Sequence, residues 1–152
     1  MMTVTDILRH KGTAVWAIGP DATVFAALEL MAEKNIGAVL VLDGDRLAGV
    51  MSERDYARRV ILMGKSSRDT TVSEIMTPRV VCVRVSQTVA QCMALMTEKH
   101  IRHLPVLDDD DRLIGIVSIG DVVKAVIAQQ EFTITNLEQY ITGAGVSSYP
   151  AL

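Results

Sequence analysis

The chain has 152 residues, of which 49% are hydrophobic, and a formal net charge of −3. That apolar share fills a core without metals or disulfides, and the weakly acidic balance speaks against non-specific nucleic-acid binding, which needs clustered Lys and Arg. No apolar run reaches membrane-spanning length, the opening MMTVTDILRHKG lacks the basic-then-apolar order of a secretion signal, and Cys82 and Cys92 have neither metal nor redox spacing. The expectation is a reduced, soluble, cytoplasmic protein with buried, inert thiols and no nucleic-acid or membrane partner.

In chain order, a short strand is expected around Val15–Ile18. Thr23 then caps a helix through VFAALELMAEKN, whose apolar residues recur at helical spacing. AVLVLD, the turn Gly44-Asp45 and RLAGVMS follow as two strands of a hairpin. Ser52 opens a second helix through DYARRVILM, and MGKSSRDTT, residues 63–71, is a linker. The order then repeats: a strand around Val81–Val85, Thr88 capping VAQCMALMTEKH, the strand HLPVLD, a turn at Asp109-Asp110-Asp111, the strand RLIGIVS, and a helix from Ser118 through DVVKAVIAQ. EFTITNLEQYI is expected to form a further helix, and TGAGVSSYPAL a flexible tail.

The repetition is literal. ATVFAALELMAEKNIGAVLVLDGD aligns with QTVAQCMALMTEKHIRHLPVLDDD, and RLAGVMSERDYARRVI with RLIGIVSIGDVVKAVI; VTDIL near the start resembles VSEIM at 72–76. The fold class is α+β: two tandem β-α-β-β-α units, residues 1–65 and 66–130, followed by a C-terminal helix and tail, residues 131–152. A unit of about 60 residues buries too little surface alone. Packed as a pair with pseudo-twofold symmetry, two units leave two related clefts.

The tandem order, the G-h-x-S-x-x-D pattern closing each second strand, the MTP of Met76–Pro78 and the IRHLPV of residues 101–106 together resemble the CBS domain pair, or Bateman module, over about residues 5–130. SERDYARRV and the tail helix are similar to its small stand-alone bacterial members. The resemblance implies a ligand-binding module rather than an enzyme, taking adenosine nucleotides such as AMP, ATP or NAD, with no cofactor required. It implies that Asp55 and Asp121 hold ribose, that Ser52 and Ser118 lie near phosphate, and that Val50 and Ile116 line an adenine slot. Thr77 through Val81 would approach the base, and Arg102 and His103 would contact phosphate, in a cleft the sequence does not identify.

The residues themselves permit that chemistry. A carboxylate accepts from both hydroxyls of a ribose, and a helix start offers N–H groups to phosphate. Arg54 stands at such a start, whereas the second repeat has Gly120 there, so the clefts are not equivalent. The same S-x-x-D pattern is also a plain capping box, and Gly49 and Gly115 signal close approach by a ligand or by backbone. Arg58 and Arg59 read as a surface face, Trp16 and the methionines as core or dimer contacts, Asp108 to Asp111 as a solvated turn, and His100 with His103 as too few ligands for a metal. The functional expectation is a nucleotide sensor working by population shift, as a homodimer with an unknown regulated partner. The rivals are a dimerising interaction module without a ligand and an enzyme acting on a nucleotide.

Overall fold

A computed structural model describes residues 1–135, with side chains through Glu131. Helix α1 (Val4–Lys11) comes first, then β1 (Ala17–Ile18), α2 (Val24–Lys34), β2 (Ala38–Asp43) and β3 (Arg46–Ser52). Helix α3 (Glu53–Tyr56) runs into a π-helical turn, Ala57–Ile61. The second copy comprises α4 (Val72–Ile75), β4 (Val83–Arg84), α5 (Val89–Lys99), β5 (His103–Leu107), β6 (Leu113–Ser118) and α6 (Ile119–Thr135). No helix among the described residues is long and apolar enough to cross a membrane.

The expected caps are present. Thr23 Oγ1 accepts from the Ala26 N–H at 3.0 Å and Thr88 Oγ1 from the Gln91 N–H at 3.1 Å, each satisfying a donor the helix start leaves open. The two hairpins also form, β2 antiparallel to β3 and β5 antiparallel to β6, with β1 and β4 added parallel on the far sides. The leading strands are shorter than expected, two residues each rather than spanning Val15–Ile18 and Val81–Val85, so Val81 lies outside β4. Helix α6 passes without a break into Glu131–Thr135, so the start of EFTITNLEQYI continues this helix rather than forming another. The remainder of that segment and the tail lie outside the described residues.

The packing does not follow the contiguous spans 1–65 and 66–130. Val4, Ile7 and Leu8 of α1 are buried with Val83, Val89, Leu104, Val106 and Val117 of the second copy. Val72 and Ile75 of α4 are buried with Val24, Val39, Val41, Met51 and Val60 of the first. A four-residue helix has no stability of its own in water. Fully burying Val72 and Ile75 contributes about 1.5–3 kcal/mol each, which holds it in place. Paired backbone bonds fix both junctions: Val4 N–H to Gln87 O and Val89 N–H to Met2 O, matched by Val24 N–H to Thr70 O and Val72 N–H to Ala22 O. This reciprocal exchange gives the pair its pseudo-twofold symmetry. It also makes residues 63–71 more than a spacer, since Thr70 is buried and Ser67 O accepts from the Phe25 N–H.

Trp16 is not in the core. It is 43% exposed, with the Lys34 ammonium 4.3 Å from its ring centroid. Met31, Met51 and Met96 are buried; Met63 and Met93 are exposed. Cys92 is buried and Cys82 partly so, and burial pushes both thiols above their ordinary pKa, which keeps them protonated.

Candidate functional site

Both S-x-x-D turns are capping boxes. Asp55 Oδ2 accepts from the Ser52 N–H at 2.8 Å while Ser52 Oγ accepts from the Asp55 N–H at 3.1 Å. Asp121 and Ser118 repeat this at 2.8 and 3.1 Å. The turns differ in what reaches the aspartate from outside. Asp55 Oδ1 accepts from the Thr77 hydroxyl at 3.2 Å, whereas Asp121 Oδ2 accepts from the Lys11 ammonium at 2.7 Å.

The Thr77 segment is a strap laid across β3. The Thr77 N–H donates to Val50 O at 2.8 Å and the Val50 N–H to Thr77 O at 3.1 Å. Gly49 makes room for it: a Cβ there would stand 2.8 Å from both Met76 Sδ and Thr77 O. The close approach signalled by this glycine is therefore by backbone. Gly115 faces the end of the Leu8 side chain instead, 2.9 Å from a virtual Cβ. Arg59, expected on a surface face, ties down the strap's origin by donating to Ile75 O at 3.0 Å and Met76 O at 3.2 Å.

Between strap, β3 and the start of β5 lies a cavity of about 330 Å³. Val50, Ser52, Arg54, Asp55, Thr77, Val81, Arg102 and His103 all line it. Arg102 and His103 are among these lining residues, and the His103 ring is also within reach of the Lys11 and Asp121 charges of the second turn. Gly37, Glu53, Arg79, Val80, His100 and Ile101 complete the wall. His100 is brought there by a left-handed turn (φ 54°) ending α5, which directs its carbonyl toward Arg54 Nη1 at 3.4 Å. Arg79 had a faint signal, lying inside the Thr77–Val81 stretch; His100 stood out only as half of a metal pair with His103.

Ile116, Ser118 and Asp121 do not line this cavity. Lys11 Nζ bonds Ile116 O at 2.9 Å and Asp121 at 2.7 Å, so the second turn meets the chain's own cation. Burial pushes the Asp121 pKa up, but the bonds from Lys11 and the Ser118 N–H outweigh it, and the carboxyl ends below its ordinary value. His103 is shifted down, first by burial and then by Lys11 and Arg102, with Asp121 opposing. In the absence of ligand its titration therefore lies below the ordinary histidine value of about 6.5 rather than at it.

The family model for the CBS domain matches twice, over residues 4–62 and 72–128. The chain belongs to the CBS-domain family. As a CBS pair it is similar to a solved protein with CBS domains from Burkholderia ambifaria MC40-6, at 53% identity and a TM-score of 0.82, covering 85% of this chain and 96% of that one. It is 38% identical to the CBS domain-containing protein CBSX3, mitochondrial, of Arabidopsis thaliana, over 93% of this chain and 72% of the relative. It is also similar to CBSX2, solved in complex with AMP, at 30% identity and a TM-score of 0.70, over 86% and 99% of the two chains.

Proposed function

We propose that this CBS pair is a sensor that binds an adenine nucleotide in the Asp55 cleft and carries out no covalent chemistry. The observation that carries the proposal is the composition of that one cavity. It combines the Asp55 carboxylate, apolar Val50, Val81 and Ile101, and the cations Arg54, Arg79 and Arg102 with His100 and His103. A carboxylate for ribose hydroxyls, an apolar slot for a base and guanidinium groups for phosphate are the three needs of a nucleotide. The volume of about 330 Å³ is near the lower end of small-ligand sites, about 300–1,000 Å³, which favours one mononucleotide such as AMP over NAD. The AMP complex of CBSX2 supports the same choice.

The cations come from both repeats: Arg54 follows β3, and Arg102 precedes β5. A phosphate between them would tie the repeats together and favour whichever arrangement brings them closest. A partner protein then reads the population of that arrangement. Exposed apolar side chains suggest where a second copy docks. Ile119, Val123 and Ile127 recur at four-residue steps along α6, and Ile61, Leu62 and Met63 occupy the related position after α3. A closed twofold dimer would cover them. Residence in the cytoplasm belongs to the same proposal.

Calorimetric titration tests the cleft. AMP should bind the wild type, GMP more weakly, and Asp55→Ala should abolish the binding. Charge-assisted hydrogen bonds contribute about 1.5–3 kcal/mol, so Arg54→Ala or Arg102→Ala should weaken it by roughly ten- to a hundredfold. Wild-type affinity in all three folded variants would leave the S-x-x-D turn as a helix cap only. That outcome would favour the interaction-module alternative, to which the exposed stripe on α6 already lends support.

A further inference from the structure

We infer that Lys11 keeps ligand out of the second cleft, so that each chain binds one nucleotide, at Asp55. The inference takes its probe from the nucleotide reading above and otherwise rests on comparing the two turns.

In the first cleft the strap uses its backbone N–H on Val50 O and its hydroxyl on Asp55 Oδ1. Both contacts are made by one short residue, and the cavity beside it stays open. In the second, the corresponding carbonyl is Ile116 O and the corresponding carboxylate is Asp121. A single ammonium satisfies both, at 2.9 and 2.7 Å. The cause is local. Where α4 ends at Ile75 and the chain turns into the extended strap, α1 remains helical through Lys11. The repeat aligns Pro78, which lacks a helical N–H and forces Thr77 before it out of helical geometry, with His10, which does neither. Helix α1 therefore gains its last turn, and Lys11 reaches across.

The ribose holder of the second repeat is therefore neutralised and occupied from within. The Lys11 and Asp121 side chains are only 29% and 14% exposed, so water screens the pair incompletely. A ribose hydroxyl offers Asp121 a neutral donor in place of a cation and cannot displace it at comparable concentrations. The latch is the side chain rather than the helix, because Val4, Ile7 and Leu8 anchor α1 in the second core. Lys11 and Asp121 also border a separate groove of about 740 Å³ between α1 and α6, which Ile116 and Ser118 do not line.

The experiment is calorimetric titration of the full-length chain with AMP, comparing wild type, Lys11→Met, Lys11→Gln and Lys11→Met/Asp121→Ala, each confirmed folded by a melting curve. Methionine keeps the stem and removes the ammonium; glutamine keeps polarity and helix propensity, and decides the matter if the methionine variant does not fold. The expected result is one site per chain in the wild type and one more in each Lys11 variant, with the added site lost in the double variant. Two sites in the wild type would overturn the inference. So would folded Lys11 variants that gain no site, or a gained site indifferent to Asp121→Ala. If the wild type binds no AMP, the nucleotide reading fails on its own. Lys11 then still stands if its removal creates an Asp121-dependent site, and falls if it does not.

Discussion

The same substitution at two aligned glycines should have unequal consequences. In Gly49→Ala the new Cβ would sit 2.8 Å from Thr77 O and 2.8 Å from Met76 Sδ. The sulfur can move, but the carbonyl is backbone and is itself bonded to the Val50 N–H. Either the strap stays and the strand strains, at about 1–3 kcal/mol for overpacking, or the strap lifts off and loses two backbone bonds at about 1 kcal/mol each. Against either stands a gain of about 0.5–1 kcal/mol from removing glycine's unfolded-state freedom. The net is a loss of about 1–2 kcal/mol. In Gly115→Ala the Cβ meets only the methyl carbons of Leu8, at 2.9 and 3.3 Å. Leu8 can turn at a rotamer cost of about 0.5–1.5 kcal/mol, which the same entropic gain roughly offsets. Urea denaturation should therefore show Gly49→Ala clearly destabilised and Gly115→Ala near wild type. AMP titration should show at least a tenfold loss in Gly49→Ala alone, because lifting the strap removes Thr77 from Asp55. Equal destabilisation of the two variants, or wild-type AMP affinity in Gly49→Ala, would refute the strap as the element that shapes the cleft.

Arg59→Ala frees the end of α4 and should cost about 1 kcal/mol by urea denaturation and weaken AMP severalfold, with Arg59→Lys recovering little because an ammonium lacks the guanidinium's spread of donors. The unfolded chain protonates His103 below about pH 6.5, while burial, Lys11 and Arg102 make the folded chain resist that proton. Stability should therefore fall as pH drops from about 6.5 toward the folded pKa, and denaturation midpoints of His103→Gln should lack that part of the slope. A bound phosphate would favour imidazolium, so as pH falls through the His103 titration AMP affinity should rise in the wild type relative to His103→Gln, with calorimetry in matched buffers as the check. Light scattering should give a dimer for the wild type and a monomer for Val123→Glu, which places a charge on the exposed α6 stripe.

The helices, hairpins and repeat were readable because the forces that set them act within a few residues. Thr23 and Thr88 bond N–H groups three positions on, Gly44 supplies the positive φ of its two-residue turn, and apolar spacing distinguishes strand from helix. The S-x-x-D boxes are equally local, and the sequence determined both of them together with the inequality of Arg54 and Gly120. Spacing could not assign α1 to the second core and α4 to the first, since VTDIL and VSEIM carry the same apolar pattern and would cover either sheet. Nor could it say which cleft Arg102 and His103 enter, that Arg59 secures a strap, or that Lys11 reaches Asp121 across 110 positions of chain. Those facts depend on where an exchanged helix ends and how far a flexible side chain extends from it. Only the packed tertiary structure decides this, because contacts between distant residues are fixed by which surfaces bury together and not by the chain that joins them.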